Sequence, residues 1–272
     1  TNAGSILLAT NTLTTISANM AHLPGSYLGG GGEIRFTGGT HNLLGTFEPN
    51  GYLSFRGGSV TVNAPIWPKS PLVITNSANV FFNAPQTFDT LLLSGNDLGG
   101  SGNLTITNNL FWSAGTMIGS GQTLVKTGAT VNIVAGSSKY LSRFMQNEGV
   151  INHAAENVWF QNGVLNNVGE FNAMSGSLRL SSGSTNRVLN LGVWNKTATN
   201  QYDIVSIPFH NSGVMNVNEG SFNMNNGGTN SGAWNIATNA TVTMAGSSAR
   251  YVMAPGTTFS GWGNLIVESS SI

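Results

Sequence analysis

An all-β solenoid with turns of about 20 residues is predicted by three observations. The first is a motif, N-x-G-x-Φ-N with Φ a large apolar residue, beginning at Asn147, Asn167, Asn190, Asn211 and Asn230. Its steps are 20, 23, 21 and 19 residues. A period this short marks units that bury their apolar side only against one another. The second is composition: 7% of residues are charged, yet 40% are hydrophobic and 36 are glycine. That is too apolar for a disordered chain, and its Asn, Ser, Thr and Gly suit strands and turns rather than helices. The third is strand-sized apolar runs bounded by turn residues, with no helical stretch of useful length. Near-constant spacing without paired hairpin signals favours a solenoid over a sandwich or barrel.

Taken in order, Ala9–Ile16 ends in strand-like alternation, and the glycines at 29–32 turn into a second strand, Ile34-Arg35-Phe36. No helix start or lysine follows those glycines, so they are not a phosphate loop. Leu53-Ser54-Phe55 and Val60-Thr61-Val62 continue the pattern. Ala64–Pro71 interrupts it with three prolines, which a central strand excludes, and reads as a loop protruding from the stack. Leu91-Leu92-Leu93, Leu104-Thr105-Ile106 and Val131-Asn132-Ile133 resume it. In the motif region each turn adds a second strand: Val158-Trp159-Phe160, Leu178-Arg179-Leu180, Phe222-Asn223-Met224 and Val242-Thr243-Met244. A period of two turns the outer members inward and the middle one outward. Asp203–Phe209, with a longer apolar run and a proline, departs from the pattern. Roughly twelve turns at about 4.8 Å would make a rod near 60 Å long.

Residues 237–244 echo 9–16 at an offset of 228, and 259–265 echo 28–34 at 231. Residues 1–272 therefore read as a single solenoid covering slightly more than one copy of a repeat of roughly 230 residues. Thr1 in place of an initiator Met fits a processed protein or a segment of something longer.

Ten basic residues balance ten acidic ones, so no field is expected to gather nucleic acid or an anionic membrane. With no cysteine there is no disulfide, thiol nucleophile or thiolate metal site. Ile6–Ala9 is too short for a membrane span.

Gly121–Val131, reading GQTLVKTGATV, resembles the passenger-associated repeat of bacterial autotransporters. The glycine- and asparagine-rich style of nearly the whole chain is similar to the β-helical exoproteins and adhesins of bacterial surfaces. That resemblance implies a right-handed parallel β-helix, export to the cell surface or beyond, and adhesion. Autotransporter repeats usually carry a second glycine where Thr130 stands, and no functional residue carries over.

Asn147, Asn167, Asn190, Asn211 and Asn230 precede glycines, and stacked amides there are read as ladder bonds, with αL conformations tolerated. Asn152, Asn172, Asn195, Asn216 and Asn235 follow the inward Φ residue and are expected to face outward, as a second ladder or a glycan-binding row. Trp194 and Trp234 belong to the inward column with Ile151, Phe171 and Met215. Trp159, in an outward column, and Trp67, on the proline segment, are the candidate contact residues, for a glycan or a neighbouring rod. Glu148, His153, Glu156 and Glu170 form the densest titratable group, and glycoside chemistry would need two carboxylates at a set separation. Solvated turn positions account for them better. Gly99–Leu104 is similar to a calcium-repeat turn but lacks its aspartate, and Asp89 and Asp97 stand alone. Thr12/Thr14, Thr105/Thr107 and Thr241/Thr243 pairs do not fall on consecutive turns, as a flat ice-binding face would require. The expectation is a structural or adhesive rod without catalysis, cofactor or metal, outside the cell or on its surface. Its expected partners are copies of itself or the next repeat, and surface glycans.

Overall fold

Each copy of the motif becomes one turn of a coil in the computed structural model, which describes residues 1–246 and 249–268. The described residues form strands and turns without helix, stacked in parallel through about 13 turns of about 20 residues. Each turn has three strand stations. The first face includes Leu13–Ile16, Thr130–Ile133, Val150–His153, Glu170–Ala173, Val193–Lys196, Val214–Val217, Ala233–Ile236 and Thr258–Gly261. The second includes Lys139–Ser142, Asn157–Gln161, Ser177–Ser182, Ser221–Met224 and Asn264–Val267. The third includes Phe144–Asn147, Val164–Asn167, Arg187–Asn190, Phe209–Asn211 and Tyr251–Met253.

Alternation decides what enters the core. Ile151, Phe171, Trp194, Met215 and Trp234 are in register and buried, as their spacing predicts. The Phe171 and Trp194 rings stack with centroids 3.8 Å apart and planes 12° from parallel. The second-strand triplets alternate buried and half-buried at 158–160, 222–224 and 242–244. Two positions depart from expectation. Leu180 is only partly buried, because the ladder slips by a residue beside it, where Gln161 pairs with Ser182. Ser54, expected outside, is 4% exposed, and the Arg56 Nε reaches its hydroxyl at 3.4 Å.

The motif's glycine answers to packing rather than to a turn. Gly169, Gly192, Gly213 and Gly232 each sit so close to the glycine one turn earlier that a Cβ would lie 2.1–2.2 Å from its carbonyl oxygen. No motif asparagine has positive φ, so the αL conformation allowed for them is not used.

Long strands wrap a corner in the first turns: Glu33–Leu43 and Tyr52–Val62 each serve both the first and second faces. On the third face Ser5–Leu8, Tyr27–Gly30 and Thr46–Pro49 form a separate three-stranded sheet. The proline segment ends it, but does not protrude as expected. Ile66 is buried in the core, its backbone N–H donating to Gln86 Oε1 at 2.9 Å, and Lys69–Thr75 is already a strand. Proline removes ladder donors without preventing the neighbouring side chain from filling the inward slot.

The two sequence echoes land one face apart. Leu13–Ile16 lies on the first face, whereas its counterpart Thr241–Met244 lies on the second.

Candidate functional site

Two amide ladders run along the motif region, one inside the coil and one outside. The inner one occupies the last inward slot of the third face, where Phe88, Ile106 and Val125 stand in earlier turns. Asn147, Asn167 and Asn190 each donate from Nδ2 to the Oδ1 of the next asparagine, at 2.7, 2.8 and 2.8 Å. Each also donates to a backbone carbonyl, of Glu170, Val193 and Val214 in turn. All three are fully buried. The series stops at Asn211, whose Nδ2 has no partner among the described residues, nor has either side-chain polar atom of Asn230.

The outer ladder donates the opposite way. Asn172, Asn195, Asn216 and Asn235 each bond back to the Oδ1 one turn earlier at 2.8–3.0 Å, and Asn152 reaches Asn132 at 3.2 Å. These side chains are half-buried to exposed, so water competes for every bond. The outward placement expected for them is what the fold shows.

Cations and three histidines, His22, His41 and His153, enter the coil and meet corner carbonyls. Arg143 donates to the carbonyls of Gly121 at 2.8 Å and Gly102 at 3.1 Å, and burial lowers its pKa to about 10. Lys139 is wholly buried, donating to Ser137 O at 3.1 Å and to Glu156 Oε2 at 2.6 Å. Lys196 Nζ donates to the carbonyls of Ala198 and Glu219, and burial pushes its pKa down. His153 touches Glu156 O through Nε2 at 2.8 Å and the Tyr202 hydroxyl through Nδ1 at 2.6 Å. A carbonyl can only accept, so the proton sits on Nε2 and the tyrosine donates to Nδ1. Burial, the largest cause, lowers the His153 pKa to about 4.

The densest titratable group of the sequence is thereby dispersed. Glu156 holds Lys139, Glu148 accepts from Gln146 and faces Lys126, and Glu170 accepts from Asn195. Among the described residues no three His, Asp or Glu side chains are grouped as a metal site would need.

Trp67 and Trp159, the two contact candidates, lie apart. Trp67 is 68% exposed where the third face is broken, beside a shallow hollow lined by Pro24, Leu44, Phe47, Glu48 and Pro65. Trp159 is half-buried on the second face, in register between Tyr140 and Arg179, and walls a hollow of about 380 Å³. The other side of that hollow is a corner formed by Gly136, Ser137 and Ser138. Tyr140 went unnoticed in the sequence. Lys139-Tyr140-Leu141 lies 19 residues before Val158-Trp159-Phe160 and has the same centre-outward form, a signal the triplet pattern contained.

Comparisons with known protein families, curated proteins and solved structures give no match for the chain.

Proposed function

We propose that this chain is a structural and adhesive rod segment of a secreted or cell-surface repeat protein. The observation that carries the reading is the uninterrupted inward column from Ile151 to Trp234, reinforced inside and outside by amide ladders. Such a coil resists bending because every turn is bonded to the next along its faces, and stability accumulates turn by turn. The autotransporter-like stretch Gly121–Val131 and the low charge support an exported adhesin in particular.

The partner in this reading is the next tandem repeat or another copy of the rod, stacked end to end. Parallel in-register strands support it, since an added turn forms the same bonds as the turn before. The one-face shift between the echoed segments makes successive long repeats start a third of a turn apart. Small-angle scattering over a concentration series tests this. A rod of about 60 Å that lengthens as concentration rises is expected from turns at ~4.8 Å. Strictly monomeric rods at high concentration would exclude the filament.

A further inference from the structure

We propose that the corner between the first and second faces is a binding groove for a neutral oligosaccharide. This deepens the adhesive half of the rod reading. Two adjoining hollows of about 430 and 380 Å³ share Ser137 and Ser138 and run along the rod axis. Their linings come from five successive turns, at Asn76, Asn96, Thr116, Tyr140 and Trp159. Four steps at ~4.8 Å make a groove on the order of 19 Å long, the reach of a short glycan chain.

Much of the polar lining has no protein partner: among the described residues, the side chains of Asn79, Asn96, Asp97, Tyr140, Asn157 and Trp159 make no hydrogen bond or ion pair. Three uncommitted amides, Asn79, Asn96 and Asn157, thus line the hollows beside the Asp97 carboxylate. Amides offer both donors and acceptors and Asp97 accepts, which is the complement of a chain of hydroxyls. Tyr140 and Trp159 are adjacent in register on one wall. Their π faces are negative, and a sugar ring presents weakly positive C–H groups to such a face while its hydroxyls reach the amides.

Charge and backbone narrow the class. Lys139, between Ser138 and Tyr140 of the lining, is turned into the core and held by Glu156, while Asp97 makes no ion pair among the described residues. Arg179, in register beyond Trp159, lies 3.9 Å from Asp203. A polyanion would therefore meet a bare carboxylate without an unpaired cation to offset it. An extended peptide usually docks by adding a strand to a sheet edge. Here the strands flanking the groove are bonded on both sides.

The test titrates the chain with neutral gluco-, manno-, galacto- and N-acetylhexosamine oligomers, of both anomeric linkages and two to six units, and with polygalacturonate. Isothermal calorimetry and saturation-transfer NMR are the readouts. At least one neutral series should bind more tightly with length. Trp159→Ala and Tyr140→Ala should each weaken it at least tenfold, Trp159→Phe should retain most of the affinity, and Trp67→Ala should leave it unchanged. The phenylalanine variant keeps the ring and guards against misfolding, which thermal unfolding of every variant also checks. Absence of any neutral binder, a preference for the polyanion, or binding indifferent to both aromatic substitutions would overturn the proposal. Scattering of the same samples reads the rod independently, so the groove can fail while the rod stands.

Discussion

The first six turns and the last seven use one coil in two ways, and a single inward slot shows the difference. On the third face that slot holds Phe88, Ile106 and Val125 in consecutive turns, then Asn147, Asn167, Asn190, Asn211 and Asn230, and finally Met253. In the apolar stretch the slot is filled by transfer of hydrocarbon from water, which is indifferent to register along the axis. In the amide stretch Asn167 and Asn190 are satisfied only if the turns above and below are in place. Buried amides add little net stability but penalise a slipped turn heavily. The regular motif thus specifies register, while the early turns rely on long strands and volume.

Breaking the aromatic column should have the largest effect. Trp194 is stacked on Phe171 and touches Phe209 and Phe222 edge-on, with no exposed surface. Trp194→Ala should cost about 3–5 kcal/mol. The loss should be local, so hydrogen exchange should quicken in the turns around residues 171–215 before those around 34–74. Uniform acceleration along the whole rod would show that the turns are not separable units.

How much of this was legible in the chain follows from the same contrast. Where Asn, Gly and Φ recur, every turn is bonded to its neighbour by like residues, so period and face could be read directly. Leu180 escaped because a one-residue slip leaves no compositional mark. Ile66 escaped because proline forbids a ladder bond, not burial. The groove was hidden for a further reason: Asn79, Asp97, Thr116, Tyr140 and Trp159 come from five turns. They are the residue types that also make ordinary corners. Only stacking shows that their side chains were left unpaired. Trp159 was found as an outward residue, without its partner Tyr140.

The next effect comes from His153, which is confined to the amide half. It is neutral in the fold with a pKa of about 4, against 6.5 for the free side chain. Below pH 6.5 the unfolded chain takes up the proton and the folded chain does not. Stability is therefore lost as pH falls from 6.5 to about 4 and levels off below, by at most about 3 kcal/mol. Lys139, Glu156 and Tyr202 face the ring, and Glu156 is itself held below the usual carboxylate range by Lys139. Its loss therefore falls at lower pH. Denaturant midpoints at pH 7, 5.5 and 4.5 should fall in that order. A His153→Gln chain should have a flatter profile whatever its absolute stability, and an equal slope in both chains would remove His153 as the cause.

Within the inner ladder the sharpest comparison is between two asparagines. Asn190→Ala strips an acceptor from Asn167 and a donor from Asn211 in a dry interior, and should cost about 2–3 kcal/mol. Neither side-chain polar atom of Asn230 has a partner among the described residues, and Met253 follows it in its slot. Asn230→Met should be neutral or stabilising, since it exchanges an unsatisfied amide for hydrocarbon. Thermal unfolding of the two variants decides the matter. Equal destabilisation would mean that Asn230 has bonds in solution equivalent to those of Asn190.

The smallest effect is expected on the outer ladder, and it separates geometry from environment. Asn195 makes the same kind of bond as Asn190, donating to Asn172 at 3.0 Å and accepting from Asn216 at 2.8 Å, with a further donation to Glu170 at 3.1 Å. By bond count it should matter as much. Yet it is half-buried, and when it is removed the neighbouring amides turn to water rather than to vacuum. Asn195→Ala should therefore cost within about 0.5–1 kcal/mol, the net worth of an exposed hydrogen bond. The pair Asn190→Ala and Asn195→Ala, measured in one denaturation series, isolates burial from bonding. A ratio near one would mean that the outer amides are dry in solution, covered by something that binds this face. A ratio of three or more would confirm that only the inner ladder specifies the register of the turns.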